Sequence, residues 1–100
     1  LNITHCLRCL HNGQFPLDSM NAINHRDSDN DNYLSAIYMG HGKSGDTILC
    51  DTDGNDVERI SFKEGRLVIF NAYQLHRGEA PKTAYRCTWG LVFPLFDPTK

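Results

Sequence analysis

The sequence has no hydrophobic run long enough to cross a membrane, no signal-peptide pattern and no basic patch. The first two absences predict no membrane partner, and ten basic against twelve acidic residues disfavour nucleic acid. Internal repeats, linkers and low-complexity tracts are also missing. The composition that remains, 40% hydrophobic and 22% charged among 100 residues, predicts one small folded domain.

Four cysteines are present, but their positions do not indicate a disulfide framework. Cys50 and Cys87 stand alone on predicted strands, so we expect reduced thiols and a cytoplasmic location. The segment HCLRCLH at 5–11 offers Cys6 and Cys9 as zinc ligands or as a redox pair. Structural zinc sites draw on a second such segment, and redox pairs follow a strand and begin a helix. The sequence predicts neither a second zinc-binding segment nor a strand followed by a helix at this pair, so we expect Cys6 and Cys9 to act as small hydrophobic residues.

Short apolar runs rich in β-branched and aromatic residues alternate with turn sequences such as GHGKSG, TDGND, KEGR and GEAPK. Six runs are predicted to be strands: 33–39, 46–51, 57–62, 66–70, 73–78 and 85–93. A spacing of about eight to twelve residues per strand is typical of antiparallel sandwiches and barrels. We therefore predict an all-β fold, a jelly-roll or cupin-like double-stranded β-helix over residues 1–100 with little helix. Only residues 2–11 also fit a helical pattern.

The turn GEAPKT predicts a hairpin centred on Pro81. In that register His76 lies opposite Arg86 and Gln74 opposite Thr88, with opposed Cβ atoms roughly 4.5 to 5.5 Å apart. The strand period of two then gives the last strand one polar face, shared with His76, and one apolar face. The predicted apolar face carries Cys87, Trp89, Leu91 and Phe93.

The stretch INHRDSDNDNYL at 23–34 combines one histidine with several carboxylates. It is not an EF-hand calcium loop, because glycine is missing at loop position six and glutamate at position twelve. A solvated turn closed by Asp and Asn side chains explains the composition without a metal. An iron site is the other interpretation, because His25 and Asp27 at spacing i, i+2 can point into one cavity from an extended chain.

The order of motifs resembles that of the 2-oxoglutarate and Fe(II)-dependent oxygenases: HRD at 25–27, then YLSAIYM, GDTILCD, EGRLVIF and LHRGEAPKTAYR. The resemblance covers about residues 21–96. It implies that His25, Asp27 and His76 bind Fe(II). It also implies that Arg86, with Thr88, binds the distal carboxylate of the co-substrate 2-oxoglutarate. A guanidinium group suits that role because it grips a carboxylate at two points.

The resemblance implies an enzyme that hydroxylates a small-molecule or peptide substrate, which the sequence does not identify. The alternative is a non-catalytic jelly-roll binding module, with or without metal, which the short chain and short loops favour. Family members run to about twice this length, so we expect a single jelly-roll domain or the C-terminal part of a longer oxygenase. An apolar face with Trp89, Leu91 and Phe93 would then need a homodimer partner or an N-terminal segment to cover it.

Overall fold

The computed structural model describes residues 8–14, 23–82 and 85–94. Within these ranges the chain forms seven strands and no helix, which confirms the all-β prediction. The strands are β1 (Arg8–Gln14), β2 (Tyr33–His41), β3 (Thr47–Cys50), β4 (Asp56–Ile60), β5 (Leu67–Asn71), β6 (His76–Gly78) and β7 (Arg86–Pro94). Nowhere in these ranges is there a helix with the length and apolar character that a membrane crossing requires.

The strands form two antiparallel sheets. The four-stranded sheet has the order β1-β7-β2-β5, and the three-stranded sheet has the order β4-β3-β6. From β2 onward, every connection except the one from β3 to β4 takes the chain from one sheet to the other. Residues of both sheets line a common cavity, so the polar face of β7 lies between the sheets.

Each of the six strands predicted from the sequence overlaps an observed strand. The helical alternative for residues 2–11 is wrong where it can be checked, because residues 8–11 belong to β1, and residues 2–7 lie outside the described part of the chain. β1 pairs along β7, with Leu10 opposite Gly90. Pairing with this strand decides the local conformation, since a short segment has too few residues for a stable isolated helix.

The predicted hairpin between β6 and β7 is wrong, because the two strands belong to different sheets. His76 pairs with Leu49 of β3, whereas Arg86 pairs with Gln14 of β1. The connection through Pro81, which is fully buried, passes between the sheets instead of reversing the chain within one sheet. Thr88 likewise lies opposite Asn12 and Met39 and not opposite Gln74.

The core contains side chains from both sheets and from the loops between strands: Ala36, Met39, Ile48, Cys50, Phe62, Phe70, Ala72, Val92 and Phe93. Burial of Phe93, which is 3% exposed beside Leu34 of β2, corrects the prediction of an uncovered apolar face there. Leu91 lines the cavity, and Trp89 alone of the three is highly exposed, at 44%. β7 lies inside its sheet, between β1 and β2.

Candidate metal centre

The structure brings together the three residues that the sequence predicts as iron ligands. His25, Asp27 and His76 each offer a ligand atom, and these atoms lie within 4.8 Å of one another. The Nε2 atom of His25 is 3.5 Å from Oδ1 of Asp27, and the Nε2 atom of His76 is 3.6 Å from Oδ2. Two imidazoles and one carboxylate in such a cluster fit the 2-His-1-carboxylate donor set.

Backbone pairing explains why the two histidines meet although they are distant in sequence. The N–H of His25 donates to the carbonyl of His76 at 2.9 Å, and the N–H of His76 donates back at 3.0 Å. This isolated antiparallel bridge puts the two rings on one face, with centroids 4.4 Å apart. Asp27 is held in line because its N–H donates to the carbonyl of Ala72 at 3.0 Å. The i, i+2 spacing then points its side chain to the same side as His25.

The ring orientation leaves the Nε2 atoms facing the carboxylate. Nδ1 of His25 lies 3.1 Å from the carbonyl of Ile23, and Nδ1 of His76 lies 2.8 Å from the carbonyl of Gln74. A carbonyl accepts only, so each Nδ1 carries the proton and each Nε2 keeps a lone pair. Metal-bound histidines have the same second contact to a carbonyl, which fixes the tautomer and the ring plane.

The hydroxyl of Ser35, which the sequence did not indicate, orients Asp27. Oγ of Ser35, on β2, donates to Oδ2 of Asp27 at 2.6 Å, and Ser35 is buried. The only signal in the sequence is that a serine stands among the apolar residues of the predicted strand 33–39. Recognising it would require the position of β2 relative to residue 27, which sequence spacing does not provide.

Burial lowers the pKa of His76, because the charged imidazolium loses solvation. The hydrogen bond to the carbonyl of Gln74 and the charge of Asp27 act in the opposite direction, and His25 adds to the lowering. The net effect favours the neutral imidazole. A neutral imidazole is the form that binds a metal.

Arg86 and Thr88 lie in the same cavity as the three ligands, as the sequence predicts. The cavity has a volume of about 470 Å³, within the range of small-molecule sites. Arg86 is 6% exposed, and its Nη1 donates to the carbonyl of Gly45 at 2.7 Å. Burial lowers the pKa of this guanidinium, while Asp46 and Glu79 raise it.

Glycine is required where the loop after β2 approaches Arg86. Gly45 has a φ of 105°, and a Cβ there would lie 2.6 Å from Nη1 of Arg86. Gly42 has a φ of 143° and approaches the backbone of Arg86 in the same way. The glycine-rich turn GHGKSG therefore packs against the arginine, a role that the sequence alone did not indicate.

The acidic segment DTDGND at 51–56, which includes the predicted turn TDGND, forms a turn. Oδ1 of Asp51 accepts the N–H groups of Asp53 and Asn55 at 3.0 and 2.9 Å, which holds the pKa of Asp51 below its ordinary value. Closure by the side chain of an Asp residue is typical of Asx turns. Of the CxxC pair, Cys6 lies outside the described residues, and Cys9 is an exposed free cysteine on β1.

Comparison with known proteins gives a likeness of fold. No protein-family model and no curated protein matches the chain. A solved structure from Bacillus endospore appendages, which form disulfide-linked pili, is similar with a TM-score of 0.51 and 12% sequence identity. The likeness covers 89% of this chain and 85% of that chain. At this identity the likeness concerns the β-fold alone.

Proposed function

We propose that this protein is a 2-oxoglutarate- and Fe(II)-dependent oxygenase that hydroxylates a small-molecule or peptide substrate. The observation that supports the proposal is the cluster of His25, Asp27 and His76, which lies in one cavity with the buried Arg86. Residues that the order of the sequence motifs brings forward as a site therefore line one cavity. Four side chains of the required chemistry line a cavity whose volume suits a small molecule.

The strand order supports a double-stranded β-helix, which we propose as the specific form of this all-β fold. The chain repeatedly crosses between two facing sheets, as the strands of a jelly roll do. The bridge between His25 and His76 adds residue 25 beside β6 at the edge of the three-stranded sheet. The proposed ligands His25 and His76 would thus lie at the edge of the three-stranded sheet, where both line the cavity.

Each side chain would have a distinct task. His25, Asp27 and His76 would hold Fe(II) on one side and leave its other positions open. Arg86 would bind the distal carboxylate of 2-oxoglutarate, with Thr88 as a second donor. When bound, Fe(II) supplies the redox chemistry by which O2 converts 2-oxoglutarate to succinate and CO2 while a C–H bond of the substrate becomes C–OH.

The environment of the cavity strengthens these contacts. Arg86 and His76 are both buried, and an ion pair between a guanidinium and a carboxylate is stronger where water is scarce. The carbonyl of Gly45 fixes one edge of the guanidinium. Ser35 holds one oxygen of Asp27, which leaves Oδ1 on the side of His25.

Succinate formation tests the proposal. The purified protein with Fe(II), 2-oxoglutarate and O2 should form succinate above the level of an anaerobic sample, and Asp27→Ala should remove that activity. His41→Ala is the matched control, because His41 is exposed and paired with Glu64 away from the cavity. Equal succinate formation by the wild type and Asp27→Ala would contradict the proposed site.

A non-catalytic module is the second candidate function. The observation that favours it is the set of exposed apolar side chains on the four-stranded sheet, among them Trp89 and Tyr38. A module of this kind would form no succinate under any metal condition, and its cavity would bind a ligand without consuming O2. The expected homodimer or covering segment stays a prediction under both candidates.

A further inference from the structure

A cysteine and a histidine meet on the outer face of the four-stranded sheet, away from the metal cavity. Nε2 of His11 contacts Sγ of Cys87, although the two residues are 76 positions apart in the sequence. The register of β1 against β7 explains the contact. His11 lies opposite Trp89 and Gly13 lies opposite Cys87, so His11 and Cys87 are diagonal neighbours on one face.

The imidazole is held in place by an aromatic neighbour. The rings of His11 and Trp89 have centroids 4.5 Å apart and an angle of 32° between their planes. A base that is positioned by a third group beside a thiol is the arrangement that activates a cysteine nucleophile. Nε2 accepts the S–H proton when the ring carries its own proton on Nδ1.

The thiol is also accessible from solvent. Cys87 is partly exposed. The hydroxyl of Tyr85 lies directly over Gly13, the cross-strand partner of Cys87. By contrast, Cys50 is 2% exposed, and its Sγ contacts Asn24 and Asp56.

We propose that Cys87 and His11 form a thiol–disulfide exchange site that accepts small organic disulfides. The Cys87 thiol gives its proton to Nε2 of His11, and the sulfur attacks one sulfur of the disulfide. The new bond joins Sγ of Cys87 to that sulfur, and the disulfide bond of the reagent breaks. The leaving thiolate takes the proton from His11, so the products are a mixed disulfide on Cys87 and one free thiol.

The rate of reaction with the aromatic disulfide DTNB tests this site. A Cys6→Ser/Cys9→Ser variant retains Cys87 and the buried Cys50, and a chelator excludes metal-bound thiols. We expect one thiol per folded chain to react. His11→Ala and His11→Gln should slow this reaction at pH 7 by between about three- and thirtyfold, because an ordinary cysteine is only a few per cent thiolate at that pH.

Two comparisons complete the test. His41→Ala is the matched control, because His41 faces Cys87 in the register from β2 but contacts Glu64, and it should leave the rate unchanged. In a Cys6→Ser/Cys87→Ser variant, the more exposed Cys9 should react at least threefold more slowly than Cys87 does. A rate unaffected by both His11 variants, or a Cys87 that reacts more slowly than Cys9, would overturn the proposal.

Discussion

At the scale of single residues, Ser35 provides a direct test of how the proposed metal ligands are oriented. Its hydroxyl donates to Asp27 at 2.6 Å from a fully buried position on β2. Ser35→Ala should weaken Fe(II) binding by about 10- to 100-fold, as the loss of a group that orients a metal ligand typically does. Ser61→Ala, which removes an exposed hydroxyl beside Arg66, is the control and should leave the affinity for Fe(II) unchanged.

Anaerobic equilibrium titration of Fe(II) measures both affinities. A Ser35→Ala variant that binds Fe(II) as tightly as the wild type, with the same stability in urea, would show that the hydroxyl does not orient the carboxylate. Because the residue is small and the substitution removes one atom, folding should be retained.

Gly45 tests the packing of the loop against Arg86. Gly45→Ala introduces a Cβ 2.6 Å from Nη1 and places alanine at a φ of 105°. Gly65→Ala is the matched control, since Gly65 also has a positive φ, of 84°, but open space around it. We expect Gly65→Ala to lower the free energy of unfolding by about 1–2 kcal/mol.

Gly45→Ala should lower the free energy of unfolding by at least about 1 kcal/mol more than Gly65→Ala, because the hydrogen bond from Arg86 to Gly45 is disturbed as well. Urea denaturation measures both values. Equal losses in the two variants would mean that Arg86 does not need the space that glycine leaves.

The sequence suggested all five residues proposed for the site, His25 and Asp27 through their i, i+2 spacing as well as the resemblance, and the other three through the resemblance. It did not predict Ser35 or Gly45, because their roles depend on which side chain lies across the cavity. Such contacts follow from the pairing of distant strands. The predicted register between His76 and Arg86 was wrong, yet both residues line the cavity, because they face it from opposite sheets.

At the scale of secondary-structure elements, an ion pair connects β4 to β6 across β3. Nη1 and Nη2 of Arg77 donate to the two carboxylate oxygens of Asp56 at 2.7 and 2.9 Å. Nη1 also donates to Asn24 at 3.2 Å, next to the ligand His25. The pair therefore connects the three-stranded sheet with the loop that carries two of the proposed metal ligands.

The pH dependence of stability should reveal this pair. The hydrogen bonds from Arg77 hold the pKa of Asp56 below its ordinary value of 3.8. A carboxyl group with a lowered folded-state pKa stabilises the fold above the unfolded-state value, and this contribution is lost as pH falls through the folded-state pKa. The free energy of unfolding of Asp56→Asn should thus differ most from that of the wild type near pH 7, and the difference should shrink below pH 3.8.

Urea denaturation over a range of pH values gives the two curves. In an Arg77→Gln background, Asp56→Asn should change the pH dependence of the free energy of unfolding much less, because the largest cause of the lowered pKa is gone. A pH-dependent effect of Asp56→Asn that keeps its full size in that background would assign the stabilisation to another group.

The strands themselves were predictable because turn residues and alternating apolar runs mark them locally. The assignment of β6 and β7 to different sheets was not, because a connection with Gly, Pro and Lys is compatible with a hairpin and with a crossing. Burial of Pro81 and the pairing of β6 with β3 decide between them, and both are properties of the folded molecule.

At the scale of the whole molecule, one row of exposed apolar side chains crosses the outer face of the four-stranded sheet. Trp89 lies opposite Tyr38, which lies opposite Leu67, and all three are exposed. If a second copy covers this row, the sedimentation coefficient should rise with protein concentration, and Trp89→Lys should keep the protein monomeric. Val57→Lys, at an exposed apolar position on β4, is the control and should not affect association. A wild type that stays monomeric throughout contradicts the dimer.

An anaerobic titration of the protein with Fe(II) and 2-oxoglutarate, followed by visible absorption, tests the proposed iron site directly. Chelation of Fe(II) by 2-oxoglutarate in the cavity should give a weak charge-transfer band that saturates at one Fe(II) per chain. Asp27→Ala should abolish the band, and Arg86→Lys should move its half-saturation to higher 2-oxoglutarate concentrations, because lysine cannot grip a carboxylate at two points. A wild-type protein that shows no band at saturating concentrations, or a band that Asp27→Ala leaves unchanged, would contradict the account.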